Sequence, residues 1–203
     1  MEIIKKEGKD LETLLQEVCT ENNLEQKDFY YRYSEKKSGL FNKNNTIELT
    51  VITKEELVNY IKNFLEELLT NMNLTVNFES KIREDVIYIK LFTNNNPIII
   101  GKNGNTLKSI ENILKQKIIT DLNIKPFISL DVENYREKQQ KRLERLAKNL
   151  AKEVSKTKME VHLENMNAYD RRIIHNALTN WKGIKTESTG EEPNRHVVIK
   201  PID

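Results

Sequence analysis

A Gly-Lys-Asn-Gly tetrapeptide at residues 101–104 constrains the fold of this chain more than any other feature. It follows three isoleucines and precedes a segment, from Thr106 onward, whose apolar residues recur at helical spacing. Glycines at both ends allow a tight turn and a close approach to a bulky anion, and the next helix offers backbone donors to phosphate. This tetrapeptide, hereafter the glycine loop, therefore predicts a corner between two helices that suits a nucleic-acid backbone. The alternative is that its glycines serve turn geometry alone, because a bare G-x-x-G pattern is common.

The segments around the glycine loop predict an α-β-β-α-α-β string over residues 54–133. Thr53 and Glu56 form a capping-box pattern that opens the first helix. Alternating apolar residues predict strands at residues 74–80 and 85–92, and a last strand over residues 127–132. Two helical segments, one on each side of the glycine loop, separate the second strand from the third.

Two further modules are predicted on either side of this string. Residues 1–53 predict a β-α-β-β unit whose helix is capped by Asp10, and so small a unit needs support from elsewhere. Residues 134–203 predict a basic helix, then a strand, a helix that begins after Asn167 and ends near Trp181, and two closing strands. The apolar stripe expected along the basic helix is Leu143, Leu146, Leu150 and Val154. The predicted fold class is α+β with three small modules.

Charge is concentrated in the last module. The whole chain has a formal charge of only +2, which by itself nominates no polyanion as a partner. Residues 134–203, however, carry 15 Lys/Arg against 10 Asp/Glu. The basic helix is thus either a solvated connector or part of a track for a phosphate backbone.

An arginine and a histidine four residues apart form the second candidate site. Arg171 and His175 share one face of the predicted helix after Asn167, and both side chains donate hydrogen bonds that suit phosphate. A histidine in such a place is also often a satisfied structural group.

These patterns resemble known nucleic-acid-binding modules. The glycine loop inside an α-β-β-α-α-β string resembles a type II KH domain, which implies a grip on the backbone of about four unpaired nucleotides. The Arg171/His175 pair, followed by the Thr-Gly-Glu-Glu-Pro-Asn-Arg-His segment at residues 189–196, resembles the R-three-H domain, which binds single-stranded nucleic acid. The RNA-binding residues that follow from these resemblances are Ile100, Gly101, Lys102, Asn103, Gly104, Asn105, Thr106, Arg171, Arg172, His175, Arg195 and His196.

The order of the modules resembles the bacterial Jag family, also called KhpB or SpoIIIJ-associated proteins. In the first module the resemblance rests on residues 36–41, Lys-Lys-Ser-Gly-Leu-Phe, although Asn42 and Asn44 stand where the family tends to have glycine. Many family members also have a long charged linker before the KH domain, whereas here Val51 runs almost directly into the next helix. The resemblance implies a single-stranded RNA-binding, post-transcriptional regulator linked to cell elongation, division or sporulation, with a second small KH protein or a homo-oligomer as partner.

Several function classes have little support in the sequence. It contains no Walker phosphate loop and no nucleophile elbow, and its three histidines and one cysteine lack metal-ligand spacing, so we expect neither an enzyme nor a bound metal or cofactor. The unpaired Cys19 and the lack of a long apolar run indicate a cytoplasmic protein without direct membrane insertion. The remaining alternative is a protein-interaction scaffold for the envelope-growth or membrane-protein-insertion machinery.

Overall fold

The computed structural model describes residues 1–37 and 45–202, which form an α+β fold with three separate three-stranded sheets. The predicted fold class is therefore confirmed. The Lys-Lys-Ser-Gly-Leu-Phe motif of the first module falls largely outside the described residues. By their internal contacts the residues divide into two compact units. Unit 1 comprises Met1–Ile99 and Asn105–Glu133, and unit 2 comprises Ile100–Gly104 and the chain from Asn134 onward. The predicted module boundaries at residues 53 and 133 stay a prediction.

The first sheet of unit 1 has the order β1-β3-β2 and packs one face on a single helix. Asp10 caps that helix by accepting a hydrogen bond from the Thr13 N–H, as the sequence predicts. Leu14 and Val18 of the helix pack against Phe29 and Leu49 of the sheet. The elements are β1 (Ile4–Gly8), α1 (Leu11–Asn22), β2 (Phe29–Lys37) and β3 (Asn45–Thr53).

The second sheet of unit 1 has the order β4-β5-β6, in which β4 and β5 are antiparallel while β5 and β6 are parallel. Its inward side chains, which include Ile89 and Leu130, are fully buried with Leu114 and Ile118 of a helix. The predicted α-β-β-α-α-β order is observed. The elements are α2 (Lys54–Asn71), β4 (Val76–Arg83), β5 (Val86–Thr93), α3 (Asn96–Ile100), α4 (Asn105–Leu122) and β6 (Phe127–Val132).

The two sheets of unit 1 are joined at the start of α2. Lys54 is buried there, and its ammonium group pairs with the Asp85 carboxylate and lies 5.7 Å from the centre of the Tyr30 ring. The Tyr30 hydroxyl in turn donates to the Asp85 backbone oxygen over 3.3 Å. This contact supplies the support that so small a first module needs. Thr53 caps α2, but the Glu56 carboxylate accepts from the Glu2 N–H, so the predicted capping box is only half formed.

The sheet of unit 2 has the order β7-β9-β8 and packs against two helices. The buried stripe of the basic helix differs from the prediction, because Ala147 and Ala151 occupy the core beside Leu143 and Val154, whereas Leu146 is exposed. Small side chains at these positions permit close packing, and apolarity alone does not single them out. The elements are α5 (Tyr135–Thr157), β7 (Val161–His162), α6 (Ala168–Leu178), β8 (Ile184–Thr189) and β9 (His196–Pro201).

One helix of unit 2 is shorter than expected. Helix α6 ends at Leu178 and not near Trp181, whose N–H donates to the Leu178 carbonyl in a terminal turn. Within the described ranges, no helix is both long enough and apolar enough to cross a bilayer.

Candidate nucleic-acid interface

The glycine loop has a left-handed backbone at three of its four residues. The φ angles are +68° at Gly101, +54° at Asn103 and +76° at Gly104. A Cβ at position 104 would also lie only 3.0 Å from Cε1 of Tyr135, the first residue of α5, which is closer than an ordinary contact. Gly104 is therefore required both by its backbone conformation and by its close approach to α5. Lys102, between the two glycines, is exposed.

Asn103 connects the glycine loop to the segment that begins α6. Its Nδ2 donates to the Asn165 backbone oxygen over 3.2 Å, and Nδ2 of Asn167 donates to the Asn103 backbone oxygen over 3.3 Å. Asn167 is also the N-cap of α6, since its Oδ1 accepts from the Asp170 N–H over 3.0 Å. The two candidate sites, 70 residues apart in the sequence, thus lie side by side within unit 2.

The guanidinium of Arg171, which the sequence predicts to contact phosphate, is turned inward. Arg171 is only 7% exposed, and its Nη1 donates to the Met166 backbone oxygen over 2.9 Å and to Glu192 Oε1 over 2.8 Å. Arg171 lies on the same side of α6 as Ile174 and Leu178, both of which are in the core. Its structural role is to hold the turn before α6 and the loop before β9.

His175 is likewise engaged by the protein itself. Its Nδ1 lies 2.7 Å from Thr186 Oγ1 and its Nε2 lies 2.8 Å from Ser188 Oγ, both on β8. Burial, and secondarily the charge of Arg171, lower the pKa of His175 below its usual value of 6.5. The neutral imidazole has one donor and one acceptor nitrogen, which the two hydroxyls can satisfy. His175 therefore holds α6 against β8 and offers no free donor.

Three other residues predicted to bind RNA are less buried than Arg171. Arg172 and Arg195 are exposed, and neither makes a salt bridge with another described residue. His196 is half-buried and pairs with His162, with the facing ring nitrogens 3.1 Å apart. The outer nitrogen of each ring is also engaged, that of His162 by Glu160 Oε1 and that of His196 by the Asn194 carbonyl.

The last predicted residues flank the glycine loop. Asn105 is exposed at the start of α4, and Ile100 and Thr106 are half-buried. Within the described part of the chain, no cluster of three or more His, Cys, Asp or Glu side chains could hold a metal ion.

Comparison with known proteins identifies the relatives of this chain. The R-three-H domain family matches residues 141–201, which include α6 and the Arg171/His175 pair. An RNA-binding protein KhpB from Clostridium symbiosum is 42% identical over 148 residues, which cover 72% of this chain and 67% of that protein. This chain belongs to the KhpB family. Its membership confirms the resemblance to the Jag family found in the sequence.

Other members of the KhpB family match less of their own length. The KhpB of Bacillus subtilis (strain 168) is 39% identical over 104 residues, half of each chain. That of Lactiplantibacillus plantarum is 29% identical over 143 residues, or 70% of this chain and 43% of that protein. The chain therefore spans two thirds of the clostridial relative and half or less of these two KhpB proteins.

No sequence pattern marks the asparagines that build the junction. Asn103 is a candidate as a loop residue, but Asn165 is not, and Asn167 is recognisable only as a helix cap. Their contacts are tertiary, and no local pattern distinguishes an asparagine that bonds a loop so distant in sequence. A second feature that the sequence does not indicate is the burial of Arg171, which depends on Glu192 in a distant loop.

Proposed function

We propose that this chain binds single-stranded RNA through the glycine loop and the adjacent face of unit 2. The observation that carries the proposal is the pair of hydrogen bonds from Asn103 to Asn165 and from Asn167 to Asn103. These bonds hold the glycine loop beside the start of α6, so that the two candidate sites are neighbours. The α-β-β-α-α-β order around the loop, as in a type II KH domain, supports it. The names of the relatives, RNA-binding protein KhpB, support the choice of ligand.

The phosphate contacts in this proposal come from exposed cations. Lys102 belongs to the glycine loop, while Arg172 and Arg195 are exposed residues of unit 2. Each such contact is weak and loses strength with salt, but contacts on one rigid surface act together because the later ones are intramolecular. Arg171 and His175 act as positioning residues, since Arg171 is buried and both ring nitrogens of His175 are engaged. Through RNA binding the chain acts as a cytoplasmic post-transcriptional regulator of cell elongation, division or sporulation, with no catalytic step.

The test is the affinity of Lys102→Gln for a fluorescent oligouridylate, measured by anisotropy over a series of salt concentrations. Lys125→Gln is the matched control, because it removes the same charge beyond the far end of the 18-residue helix α4, which is about 27 Å long. We expect Lys102→Gln to bind more weakly at low salt and to reduce the slope of log affinity against log salt by about 0.7. Equal slopes for both variants would remove the glycine loop from the interface. Absence of binding by the unmodified chain would contradict the function itself.

The same test avoids a change at Asn103. A Gly-Asp-Asp-Gly loop would repel phosphate, but its second aspartate would also lose the hydrogen bond that Asn103 donates to the Asn165 carbonyl. A loss of binding by that variant would combine repulsion with a displaced loop. A single substitution at Lys102 separates the two effects.

A protein-interaction scaffold is the second candidate function, and the first sheet favours it. Strand β2 is an edge strand in the described part of that sheet, and it exposes Tyr31 and Tyr33. Exposed aromatics beside unpaired strand groups are a common basis for protein contacts. If this edge joins two copies of the chain, Tyr33→Lys will lower the mass that sedimentation gives at high protein concentration. Unchanged RNA affinity in the same variant would show that the two functions are separate.

A further inference from the structure

A groove of about 510 Å³ lies within unit 2, beside the glycine loop. One wall is helix α5 and the other is the segment at residues 161–166, while Asn103 lies at one end. The volume falls in the range of sites that hold small ligands. Apart from Asn103, its lining residues belong to neither candidate site found in the sequence.

Two arginines of α5 give the groove its cationic wall. The Nε of Arg142 donates to Gln139 Oε1 over 3.1 Å, which fixes the position of its guanidinium. Arg145, three residues on, also lines the groove and makes no ion pair with any described residue. Two acidic residues are present as well, Glu164 and Asp170. Burial raises the pKa of the Asp170 carboxyl, whose Oδ2 accepts hydrogen bonds from Gln139 and Asn167, while the nearby charge of Arg142 acts in the opposite direction.

The groove also exposes apolar surface that no part of the described chain covers. Leu146 is 42% exposed, although it lies one turn from the buried Leu143 on the same helix. Leu150 lies one turn further along α5 and lines the groove too. The side chains of Asn149 and Asn165 provide amide donors and acceptors beside this surface. Apolar surface, planar amides and cations together match the three parts of a nucleotide: the base face, the base edge and the phosphate.

We propose that this groove holds one nucleotide of the bound RNA strand, with its base on Leu146 and Leu150 and its phosphate on Arg145. The inference rests on the proposed function and adds a second contact next to the glycine loop, because Asn103 belongs both to the loop and to the groove. RNA fits better than an acidic peptide for a reason of charge. The neighbouring exposed face of α5 carries Lys148 and Lys152 beside the acid Glu144, so cations predominate in a row along which a continuous phosphate backbone can run.

The test compares two groove variants with two matched controls from the same unit. Arg145→Gln removes a groove cation, and Lys156→Gln removes an exposed cation from the last turn of α5, outside the groove. Leu146→Asn removes apolar groove surface, and Met159→Asn does the same at an exposed residue outside it. Affinity for the fluorescent oligouridylate is measured over a salt series, and thermal unfolding checks that each variant is folded.

The two groove variants have different expected signatures. Arg145→Gln should reduce the slope of log affinity against log salt by about 0.7, as expected for one lost phosphate contact on a single strand. Leu146→Asn should weaken binding about fivefold at every salt concentration, because the contact it removes is not electrostatic. Both controls should bind like the unmodified chain.

Three outcomes would overturn the inference, and they differ from failure of the proposed function. If the unmodified chain binds and both groove variants match their controls, the groove does not hold RNA. If a hexaglutamate peptide displaces the oligouridylate and binds the groove variants more weakly, the groove is a peptide site. If Leu146→Asn loses affinity only at low salt, no base packs on it. Failure of the unmodified chain to bind at any salt concentration would instead contradict the function.

Discussion

Asn167 donates a hydrogen bond from Nδ2 to the backbone oxygen of Asn103, while its Oδ1 accepts from the Asp170 N–H at the start of α6. One side chain thereby caps a helix and holds the glycine loop. The amide is well suited to both tasks because it has a donor and an acceptor at the same end of a short side chain. Aspartate, another good cap, has no donor, and the hydroxyl of serine ends one bond short of the amide nitrogen that reaches Asn103.

The two tasks of Asn167 can be separated by substitution. Asn167→Ala removes all three hydrogen bonds of the side chain, including the one to Asp170 Oδ2, and we expect the free energy of unfolding to fall by about 1 kcal/mol from the lost cap alone. Asn167→Ser keeps a capping oxygen, but its side chain is one bond too short to reach the Asn103 carbonyl, so it should remain within about 0.5 kcal/mol of the unmodified chain. Urea denaturation gives both values. RNA affinity should fall in both variants, and retention of full affinity by Asn167→Ser would show that the bond to Asn103 does not matter for binding.

Gly104 should tolerate a methyl group less well than another glycine of similar backbone conformation. Gly104→Ala adds the strain of a left-handed alanine, about 1 kcal/mol, and places Cβ 3.0 Å from the Tyr135 ring. Gly183 has a φ of +78° but no atom within 4 Å of the position that a Cβ would occupy, so Gly183→Ala carries the strain alone. In thermal unfolding, we expect Gly104→Ala to have a lower midpoint temperature than Gly183→Ala. Equal losses would mean that the Tyr135 ring moves aside without cost.

Substitutions of two neighbouring arginines of α6 should affect different properties, one the stability of the fold and the other RNA binding. Arg171 is buried and donates to the Met166 carbonyl, so Arg171→Gln should lower the free energy of unfolding by about 2 kcal/mol. Its ion pair with Glu192 contributes little to that value, because Glu192 is exposed to solvent. Arg172 is exposed, so Arg172→Gln should leave stability unchanged and weaken RNA binding in a salt-dependent way. Chemical denaturation and anisotropy on the same samples test the pair. A destabilised Arg172→Gln would contradict its placement on the surface.

Much of the fold is predictable because local patterns set it. Asp10, Thr53 and Asn167 each cap the helix that the sequence predicts for them. The alternating residues of β2 and β3 pair as the hydrophobic pattern requires, with Tyr31 opposite Val51. The prediction is wrong where close packing, and not the apolarity of a side chain, decides which residues are buried. On α5, alanines enter the core because the helix lies close to its neighbours, and Leu146 is left outside.

The candidate site is less predictable, for a physical reason. The glycine loop can be recognised because left-handed backbone favours glycine, and that preference is visible in the sequence. The direction in which Arg171 points cannot be recognised from the sequence. A four-residue spacing on a helix specifies a face of that helix, but not whether other segments cover that face. The covering groups, Glu192 and the hydroxyls of β8, come from segments further along the chain.

The buried imidazole of His175 makes the stability of the protein depend on pH in a defined direction. Burial and Arg171 lower the pKa of His175 in the folded protein, whereas in the unfolded chain it returns to about 6.5. As pH falls through 6.5, the unfolded chain therefore takes up a proton that the folded chain does not, and the free energy of unfolding decreases. This contribution is complete above about pH 7 and is lost progressively as pH falls toward the folded pKa.

His175→Gln isolates that effect from any contribution of the other two histidines, His162 and His196. Glutamine keeps a donor and an acceptor for the hydroxyls of Thr186 and Ser188, but it binds no proton. Urea denaturation from about pH 7.5 to 5.5 should give a shallower loss of stability for the variant than for the unmodified chain. The difference between the two curves belongs to His175, because the other two histidines are present in both. Parallel curves would mean that His175 is protonated equally in the folded and unfolded states, and would contradict its burial between α6 and β8.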